Sequence, residues 1–324
     1  MSVLVLGGAG YIGSHTVYEL IEKGKDVVIV DNLQTGFKEL IHPKAKFYLG
    51  DLRDEKFLNS VFEKESIEGV IHFAANSLVG VSMKEPLEYY DNNVYGMMVL
   101  LNVMKNHNVK HIVFSSTAAT YGEPKQVPIK EEDDTVPTNP YGETKLAMEK
   151  MMKWCENAYG MTFVALRYFN ACGAHPNGII GELHNPETHL IPLILQVPLG
   201  KREAINVFGN DYDTKDGTCI RDYIHVCDLA DAHIKALNYL IEGKPSQTIN
   251  LGNGEGYSVL EIIKASEEVT NQEIKMNICE RRAGDPAKLI ACNKKAQEIL
   301  GWHPQYTSVK EIIATAWNFY TNRM

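Results

Sequence analysis

The chain has 324 residues, of which 44% are hydrophobic and 23% charged, and its formal net charge at pH 7 is -9. This composition is ordinary for a globular protein, and the negative charge argues against a nucleic-acid partner. No apolar run approaches the roughly 18 residues of a membrane span, and the first predicted strand, at Val3, leaves no room for a signal peptide. The six cysteines lack paired metal-type spacing. A reduced, cytoplasmic protein with no metal and no membrane contact is therefore expected.

The first predicted element is a short strand, Val3–Leu6, followed at once by Gly7, Gly10 and Gly13 and then by an amphipathic run. The first glycine permits a tight turn, and the second lets the backbone approach a pyrophosphate. The third lets the new helix pack closely on the strand, and the helix N-terminus points its N–H groups at the phosphates. The pattern predicts a dinucleotide site.

A second strand, Val27–Val30, ends at Asp31. A carboxylate at this place accepts hydrogen bonds from the adenosine ribose and repels a 2′-phosphate, so NAD is favoured over NADP. The alternative is a glycine turn in another kind of α/β protein. The register of strand, helix and Asp31 favours the dinucleotide site.

Three further strands are predicted, and each ends at small or polar residues. Strands that alternate with helical patterns predict an α/β fold with a Rossmann-type, doubly wound parallel sheet. Ligands of such sheets lie at the carboxyl ends of the strands. His72, inside an apolar strand, is predicted to be a core histidine rather than a ligand. The strands are Lys46–Leu49, Gly69–Phe73 and His111–Phe114, and they are followed by Gly50, Asp51, Ala74, Ala75, Asn76, Ser115, Ser116 and Thr117.

Two predicted helices in this half are notably apolar. One runs from about Pro86 to Lys105, and the other starts near Tyr141. Covering the sheet requires one apolar face of each helix, and these apolar stripes are wider than that. They indicate a subunit interface, so a homodimer is expected.

The pattern loosens from about Asn170, where loop-like stretches precede short strands and helices. We expect a Rossmann domain over residues 1–170 and a smaller α/β substrate domain over residues 171–324, with some segments of the second returning to the first. Asp228 is the predicted N-cap of a helix. Ser258 and Ser308 each precede a glutamate by three residues, which predicts two capping boxes.

Tyr141 and Lys145 stand at i and i+4, which places a phenol and an ammonium on one helix face. A nearby cation favours the phenolate, so Lys145 is predicted to lower the pKa of Tyr141 towards the working pH of a general base. The positive nicotinamide ring of a bound cofactor would act in the same direction. Thr117 ends a preceding strand, and its hydroxyl can bridge Tyr141 and a substrate hydroxyl. The Tyr-x-x-x-Lys pattern alone often arises by chance, but behind a dinucleotide fold it indicates a catalytic pair.

Together, these motifs resemble the extended short-chain dehydrogenase/reductase family, and within it the nucleotide-sugar epimerases. The resemblance covers nearly the whole chain, and its later stretches are tied to nucleotide sugars rather than to NAD. The matching stretches are Gly7–His15, Pro86–Asn93, Phe114–Thr117, Tyr141–Lys145, Arg167–Asn170, Phe208–Tyr212, Asp216–Thr218, Arg221–Val226 and Arg281–Asp285.

The resemblance implies a role for each catalytic residue. Tyr141 would take the proton from the sugar 4-hydroxyl, and Lys145 would hold the nicotinamide ribose. Thr117 stands where many relatives have a serine and keeps the hydroxyl. Ser77 departs from the family, because many relatives have a lysine there, and this departure puts one cofactor contact in doubt.

The resemblance also implies two sets of binding residues, among which arginines suit a diphosphate because each presents a fork of donors. The residues implied to contact NAD are Gly7, Gly10, Tyr11, Ile12, Gly13, Asp31, Asn32, Asp51, Leu52, Phe73, Ala74, Asn93, Ser115, Tyr141, Lys145 and Tyr168. Those implied to hold the UDP-hexose are Thr117, Tyr141, Asn170, Leu190, Val207, Phe208, Arg221, Arg282, Asp285 and Leu289.

The implied reaction is the reversible inversion at C4 of a UDP-hexose, as in galactose metabolism. Tyr141 removes the O4 proton while a hydride leaves C4 for tightly bound NAD. The resulting 4-keto sugar then rotates within the pocket and receives the hydride on its other face. A 4,6-dehydratase carries an Asp-Glu pair after the threonine, where this chain has Ala118 and Ala119. A UDP-uronate 4-epimerase or decarboxylase stays open. A non-catalytic NAD-binding protein typically loses the Tyr/Lys pair, which this chain keeps.

One position bears on which hexose fits. In relatives, the residue four positions after the aspartate of Arg281–Asp285 borders the hexose, and a tyrosine there restricts space near the 2-substituent. This chain has Leu289. Because packed walls do not yield easily to added volume, the smaller side chain predicts that UDP-N-acetylhexosamines are also accepted. The alternative is that Leu289 packs into the core.

Overall fold

A parallel sheet of seven strands forms the centre of the computed structural model, which describes residues 1–282 and 285–323. The strand Ser2–Leu6 lies inside the sheet, between Asp26–Asp31 and Ile67–His72. Helices connect most of the strands, so the predicted Rossmann-type α/β fold is confirmed. In chain order the strands are Ser2–Leu6, Asp26–Asp31, Lys46–Leu49, Ile67–His72, His111–Thr117, Thr162–Tyr168 and Gln247–Leu251.

The first strand shows why this sheet is buried on both faces. Leu4 and Leu6 pack into one apolar cluster, whereas Val3 and Val5 pack into another, as the alternation of side chains along a strand requires. Helices Glu55–Lys64, Gly96–Asn106 and Pro140–Tyr159 cover the first side, and helices Tyr11–Glu22, Val226–Ile241 and Lys294–Leu300 cover the second.

The second half of the chain contributes to the large sheet. Helix Val226–Ile241 packs on helix Tyr11–Glu22, and strand Gln247–Leu251 forms an edge of the sheet by pairing with Thr162–Tyr168. The other segments of this half surround a separate apolar cluster that includes Ile312. They comprise helices Leu190–Leu195, Val259–Thr270 and Val309–Thr321, and short strands Asn170–Cys172, Ile205–Phe208, Ile220–Arg221, Tyr223–His225, Tyr257–Ser258, Met276–Cys279 and Lys288–Leu289.

The helix predicted from Pro86 to Lys105 is one rod with a wide turn in its middle. Its pieces are Pro86–Tyr89, a π-helical Tyr90–Tyr95 and Gly96–Asn106. Such insertions often occur at functional sites. Here the π-helical turn holds Asn93, which is fully buried and donates a hydrogen bond to Thr144 Oγ1 at 3.0 Å.

Of the two predicted capping boxes, one forms. Ser258 Oγ accepts a hydrogen bond from the backbone N–H of Glu261 at 3.1 Å, and the Glu261 carboxylate accepts one from the backbone N–H of Ser258 at 2.8 Å. The prediction for Ser308 is wrong in its detail. Ser308 stands at the N-cap of Val309–Thr321, but within the described part of the chain its side chain makes no capping hydrogen bond.

The prediction that Asp228 caps its helix is wrong. The helix begins two residues earlier, after His225, whose ring accepts a hydrogen bond from the backbone N–H of Cys227. The Asp228 carboxylate instead accepts hydrogen bonds from the backbone N–H groups of Gln305 and Tyr306, at 2.9 and 3.0 Å. A long-range contact therefore replaces the local one that the sequence pattern predicts.

His72 is confirmed as a core histidine. Its side chain is fully buried, and neither ring nitrogen has a hydrogen-bond partner among the described residues. Burial lowers its pKa to about 3, so the ring is neutral at physiological pH. Among the described helices, none has both the length and the apolar character needed to cross a membrane.

Candidate active site

A cavity of about 500 Å³ opens at the carboxyl ends of the central strands, as expected for a doubly wound sheet. Its walls come from both halves of the chain, since the glycine turn at Gly7 faces residues as late as Leu289. A concave site with a few converging polar groups is the usual place for ligand binding and catalysis.

The glycine turn lies at the floor of the cavity, and at two of its positions there is no room for a side chain. Gly7 has a φ of +78°, and a Cβ on it would lie 2.7 Å from the backbone nitrogen of Ala74. A Cβ on Gly13 would lie 2.1 Å from the carbonyl oxygen of Gly7. Helix Tyr11–Glu22 starts after Gly10, and no side chain in the described part of the chain caps it. Its first N–H groups are therefore available to an anion, so the turn fits a pyrophosphate.

Asp31 ends the second strand at the wall of the cavity. Its carboxylate accepts hydrogen bonds from the backbone N–H groups of Ala9 and Leu33, at 3.0 and 2.8 Å. These bonds fix the carboxylate behind the glycine turn. Its position suits ribose hydroxyls and disfavours a phosphate, as the sequence predicts.

Asp51 and Asn32 lie on the same wall and contact each other, with Asn32 Nδ2 donating to Asp51 Oδ2 at 3.1 Å. Arg53 also binds this carboxylate, and its guanidinium holds the pKa of Asp51 well below the usual range. The strand ends therefore present two carboxylates and an amide at the point where an adenosine would lie.

The helix Pro140–Tyr159 brings Tyr141 and Lys145 to the cavity. Asn139 caps its N-terminus, because the Asn139 side chain accepts a hydrogen bond from the backbone N–H of Gly142 at 2.9 Å. Lys145 is buried, and its Nζ donates to the carbonyl oxygen of Ser115 at 2.7 Å. The same Nζ lies 5.9 Å from the centre of the Tyr141 ring. The structure therefore places the two side chains on one wall, as predicted.

The prediction that Lys145 lowers the pKa of Tyr141 is wrong for the protein groups alone. Enclosure of the phenol raises the pKa of Tyr141 to about 12, and a hydrogen bond with Thr117 only partly opposes this effect. Burial also lowers the pKa of Lys145 to about 7, so only part of the Lys145 population is positively charged at neutral pH. The phenol is protonated at neutral pH unless a further positive charge lies beside it.

Ser115 and Tyr168 close the end of the cavity next to Lys145. The two hydroxyls share a hydrogen bond of 2.5 Å, and both side chains border the cavity. Asn93 does not reach the wall, which is formed by its neighbour Asn92. Asn93 supports the wall from behind, since its Oδ1 accepts a hydrogen bond from the backbone N–H of Asn76 at 2.8 Å.

The far end of the cavity carries Asn170, Arg221, Asp285 and Leu289. Arg221 and Asp285 form an ion pair, and neither side chain is freely exposed. Leu289 pairs with Arg221 across two short parallel strands. Leu289 borders the cavity and also packs on the small apolar cluster around Tyr121, so it is both a wall and a core residue.

Four residues of the implied substrate set do not line the cavity. The guanidinium of Arg282 lies 4.1 Å from the centre of the Phe208 ring. Ala283 and Gly284, which belong to the matching stretch Arg281–Asp285, lie outside the described residues. The four residues off the wall are Leu190, Val207, Phe208 and Arg282.

Sequence reasoning missed several residues of the wall. The sequence patterns predict no functional role for Asn139, Glu182, His184 or His189, yet all four border the cavity. The sequence signal available for the last three is the mixture of glutamates and histidines in one short stretch. Their side chains converge only because the loop folds back on itself.

Comparison with known proteins places these features in a family. Residues 4–315 match a family model described as GDP-mannose 4,6 dehydratase. A relative from Lacticaseibacillus casei, a UDP-glucose 4-epimerase, is 59% identical over 322 residues, which are 99% of this chain and 97% of the relative.

The fold gives the same result. A solved UDP-glucose 4-epimerase with 59% sequence identity matches with a TM-score of 0.98, covering 100% of this chain and 98% of the other. A UDP-glucose 4-epimerase from Bifidobacterium longum, solved in complex with NAD+ and UDP, is 44% identical. It matches with a TM-score of 0.94 over 99% of this chain and 98% of its own.

Proposed function

The chain belongs to the extended short-chain dehydrogenase/reductase family, among its UDP-glucose 4-epimerases, and from this we propose that it interconverts UDP-glucose and UDP-galactose with bound NAD. One observation carries the proposal. Tyr141, Lys145 and Thr117 border the same cavity as the glycine turn and Arg221. This shared cavity supports the assignment of the Tyr141 phenol as the catalytic group, of the glycine turn as the dinucleotide site and of Arg221 as a diphosphate ligand.

The cradle fits NAD, because its floor excludes any side chain and Asp31 stands where the adenosine ribose would lie. When bound, NAD accepts the hydride from C4 of the sugar and returns it to the other face. We assign the nicotinamide end to Tyr141, Lys145, Ser115 and Tyr168. Lys145 Nζ, already oriented by the Ser115 carbonyl, is placed to donate to ribose hydroxyls.

Tyr141 is the proposed base. Its phenolic oxygen takes the proton from the 4-hydroxyl as C4 is oxidised and returns it as C4 is reduced. Because the protein groups raise the pKa of Tyr141 to about 12, the positive ring of the oxidised cofactor must help to favour the phenolate. Thr117, which borders the same cavity as Tyr141, orients the sugar hydroxyl towards it.

The UDP part is assigned to the far end of the cavity. Arg221 presents a guanidinium to the diphosphate, and Asn170 lies beside it. Arg282, stacked on Phe208, is exposed and can turn towards a bound nucleotide. This arrangement holds UDP firmly and leaves the sugar free to rotate, as inversion at C4 requires.

A dehydratase would need further acid and base groups to eliminate water. At the corresponding wall positions this chain has Ala118 and Ala119, which supply neither. We therefore propose epimerisation in galactose metabolism rather than dehydration, although the family model that matches is described as a dehydratase. The residues described at the wall offer no observation that favours a uronate substrate.

We further propose a cytoplasmic homodimer. Leu87 is 82% exposed and Trp154 72% exposed, on the two helices whose apolar stripes are too wide for one face. Such side chains suit a two-fold interface. The division into a NAD-binding domain, residues 1–170, and a nucleotide-sugar domain, residues 171–324, is likewise a proposal.

The proposed function is tested by incubating the purified protein with UDP-galactose and no added cofactor, and by identifying the product sugar. UDP-glucose should form, and denaturation after extensive dialysis should release NAD(H). Release of NADP would overturn the role of Asp31. A dehydrated or decarboxylated product, or no product, would overturn the function.

A further inference from the structure

Four side chains of one loop converge beside the cavity. Glu182, His184, Glu187 and His189 each offer one atom, and these atoms lie within 4.8 Å of one another. The distances from His184 Nδ1 to Glu182 Oε1 and Glu187 Oε2 are 3.2 and 3.6 Å. His189 Nδ1 lies 3.0 Å from Glu182 Oε1 and shares a hydrogen bond of 3.0 Å with Glu187 Oε1.

The innermost member of this cluster points a polar atom into it without a hydrogen bond. Glu182 is only 4% exposed, and its Oε1 is buried with no hydrogen-bond partner among the described residues. His184 Nδ1 is buried and equally unpartnered there. The two atoms are close, yet their directions do not suit a hydrogen bond. Both atoms belong to side chains that could hold a metal ion.

The other carboxylate is held in place from outside. Glu187 Oε1 accepts hydrogen bonds from the backbone N–H groups of Thr188 and His189, at 2.7 and 2.8 Å. This leaves Oε2 directed towards His184. Outer hydrogen bonds of this kind orient metal-ligating carboxylates.

The chemistry and spacing of the four groups match zinc. Zinc binds imidazole nitrogens and carboxylate oxygens at about 2.0–2.2 Å in a tetrahedron, which sets neighbouring ligand atoms about 3.3–3.6 Å apart. Three ligand pairs lie close to this range, since His184 Nδ1 and His189 Nδ1 are 3.2 and 3.0 Å from Glu182 Oε1 and His184 Nδ1 is 3.6 Å from Glu187 Oε2. A divalent ion would also neutralise the two carboxylates. We propose that Glu182, His184, Glu187 and His189 form a binding site for a divalent cation of the zinc class.

This cation would have a positioning role. Four protein ligands close a tetrahedral site and leave no position for substrate, which is typical of structural zinc. His189 directly precedes helix Leu190–Leu195, and the His184 ring meets the Tyr11 ring edge-on at 6.2 Å between centres. The ion would therefore fix the loop between the glycine turn and the helix that begins at Leu190.

The test measures metal directly. The NAD-containing protein is loaded with Zn²⁺, dialysed and analysed for metal content, and separately loaded with Co²⁺ for its visible spectrum. Two variants, Glu182→Gln and His189→Asn, remove one ligand each, the second at a half-exposed residue that folding should tolerate. His303→Asn, which changes an exposed histidine elsewhere, is the matched control.

The native protein and the control should retain about one Zn²⁺ per chain and give the intense cobalt spectrum of a tetrahedral site. Each ligand variant should bind Zn²⁺ at least about tenfold more weakly, the lower limit seen even for outer-shell changes. Chelation should lower Tm and raise the KM for UDP-galactose while kcat changes little. Native protein that retains no Zn²⁺, or ligand variants that retain as much as the control, would overturn the proposal whether or not the protein is an epimerase.

Discussion

Lys145 Nζ lies 2.7 Å from the carbonyl oxygen of Ser115, so the helix that carries Tyr141 is tied to the strand that ends at Thr117. The phenol, the ammonium and the threonine hydroxyl are therefore held by two rigid elements rather than by loops. Rigid support of this kind keeps a general base within hydrogen-bond reach of its proton.

Replacing Tyr141 by Phe should lower kcat by about 10²–10⁴-fold, the usual effect of losing a positioned general base. Fold, NAD content and UDP binding should stay near native, because the ring is kept. Thr117→Ser should be mild, and Thr117→Ala severe, since only the former keeps the hydroxyl. Steady-state kinetics with UDP-galactose measure this, and near-native turnover by Tyr141→Phe would show that another group is the base.

Lys145 should make stability depend on pH in the NAD-free protein. Burial lowers its pKa from 10.5 to about 7, so between these values the unfolded chain binds a proton that the folded one does not. The free energy of unfolding should therefore rise with pH from about 7 to 10, by up to about 1.4 kcal/mol per unit relative to Lys145→Met. Below pH 7 the difference should be constant. Urea unfolding of both proteins at a series of pH values tests this. A constant difference in the free energy of unfolding between the two proteins from pH 7 to 10 would contradict it.

Leu289 should set which hexoses are accepted. As a wall residue smaller than tyrosine, it leaves room for an N-acetyl group at C2 of the sugar. The native protein should turn over both UDP-galactose and UDP-N-acetylgalactosamine, and Leu289→Tyr should lose kcat/KM selectively for the second. Leu289→Met, of similar volume, is the control. Failure of the native protein to use the acetylated sugar would end this hypothesis.

The exposed apolar side chains of two helices should hold a homodimer. Light scattering at micromolar concentration should give twice the chain mass of 36.3 kDa. The double variant Leu87→Lys, Trp154→Lys should give the single-chain mass, because two charges would be buried at the interface. Ile278→Lys, at an exposed residue on a short strand, should leave the dimer intact. A native protein found only as a monomer would refute the interface.

The sequence predicted the sheet and the dinucleotide cradle because both follow from local patterns. Glycines at positions with no room for a Cβ are recognised by their spacing after a strand. Strands buried on both faces are recognised as short apolar runs. Tyr141 and Lys145 were also found locally, since four residues on a helix bring them to one face.

What the sequence did not predict depends on tertiary contacts. The pKa of Tyr141 rises because residues distant in sequence enclose it. The Asp228 carboxylate does not cap its helix, because it accepts a hydrogen bond from the backbone N–H of Gln305, seventy-seven positions away. Arg221 and Asp285 meet only through the pairing of short strands.

The most direct test of the account uses UDP-galactose carrying deuterium at C4, in ordinary water and without added cofactor. Because C4 gives up a hydride to bound NAD and receives the same hydride back, the UDP-glucose formed should keep deuterium at C4. The label should stay complete over many turnovers, since the cofactor does not exchange. Replacement of deuterium by solvent hydrogen, or turnover only when NAD is supplied, would contradict the account.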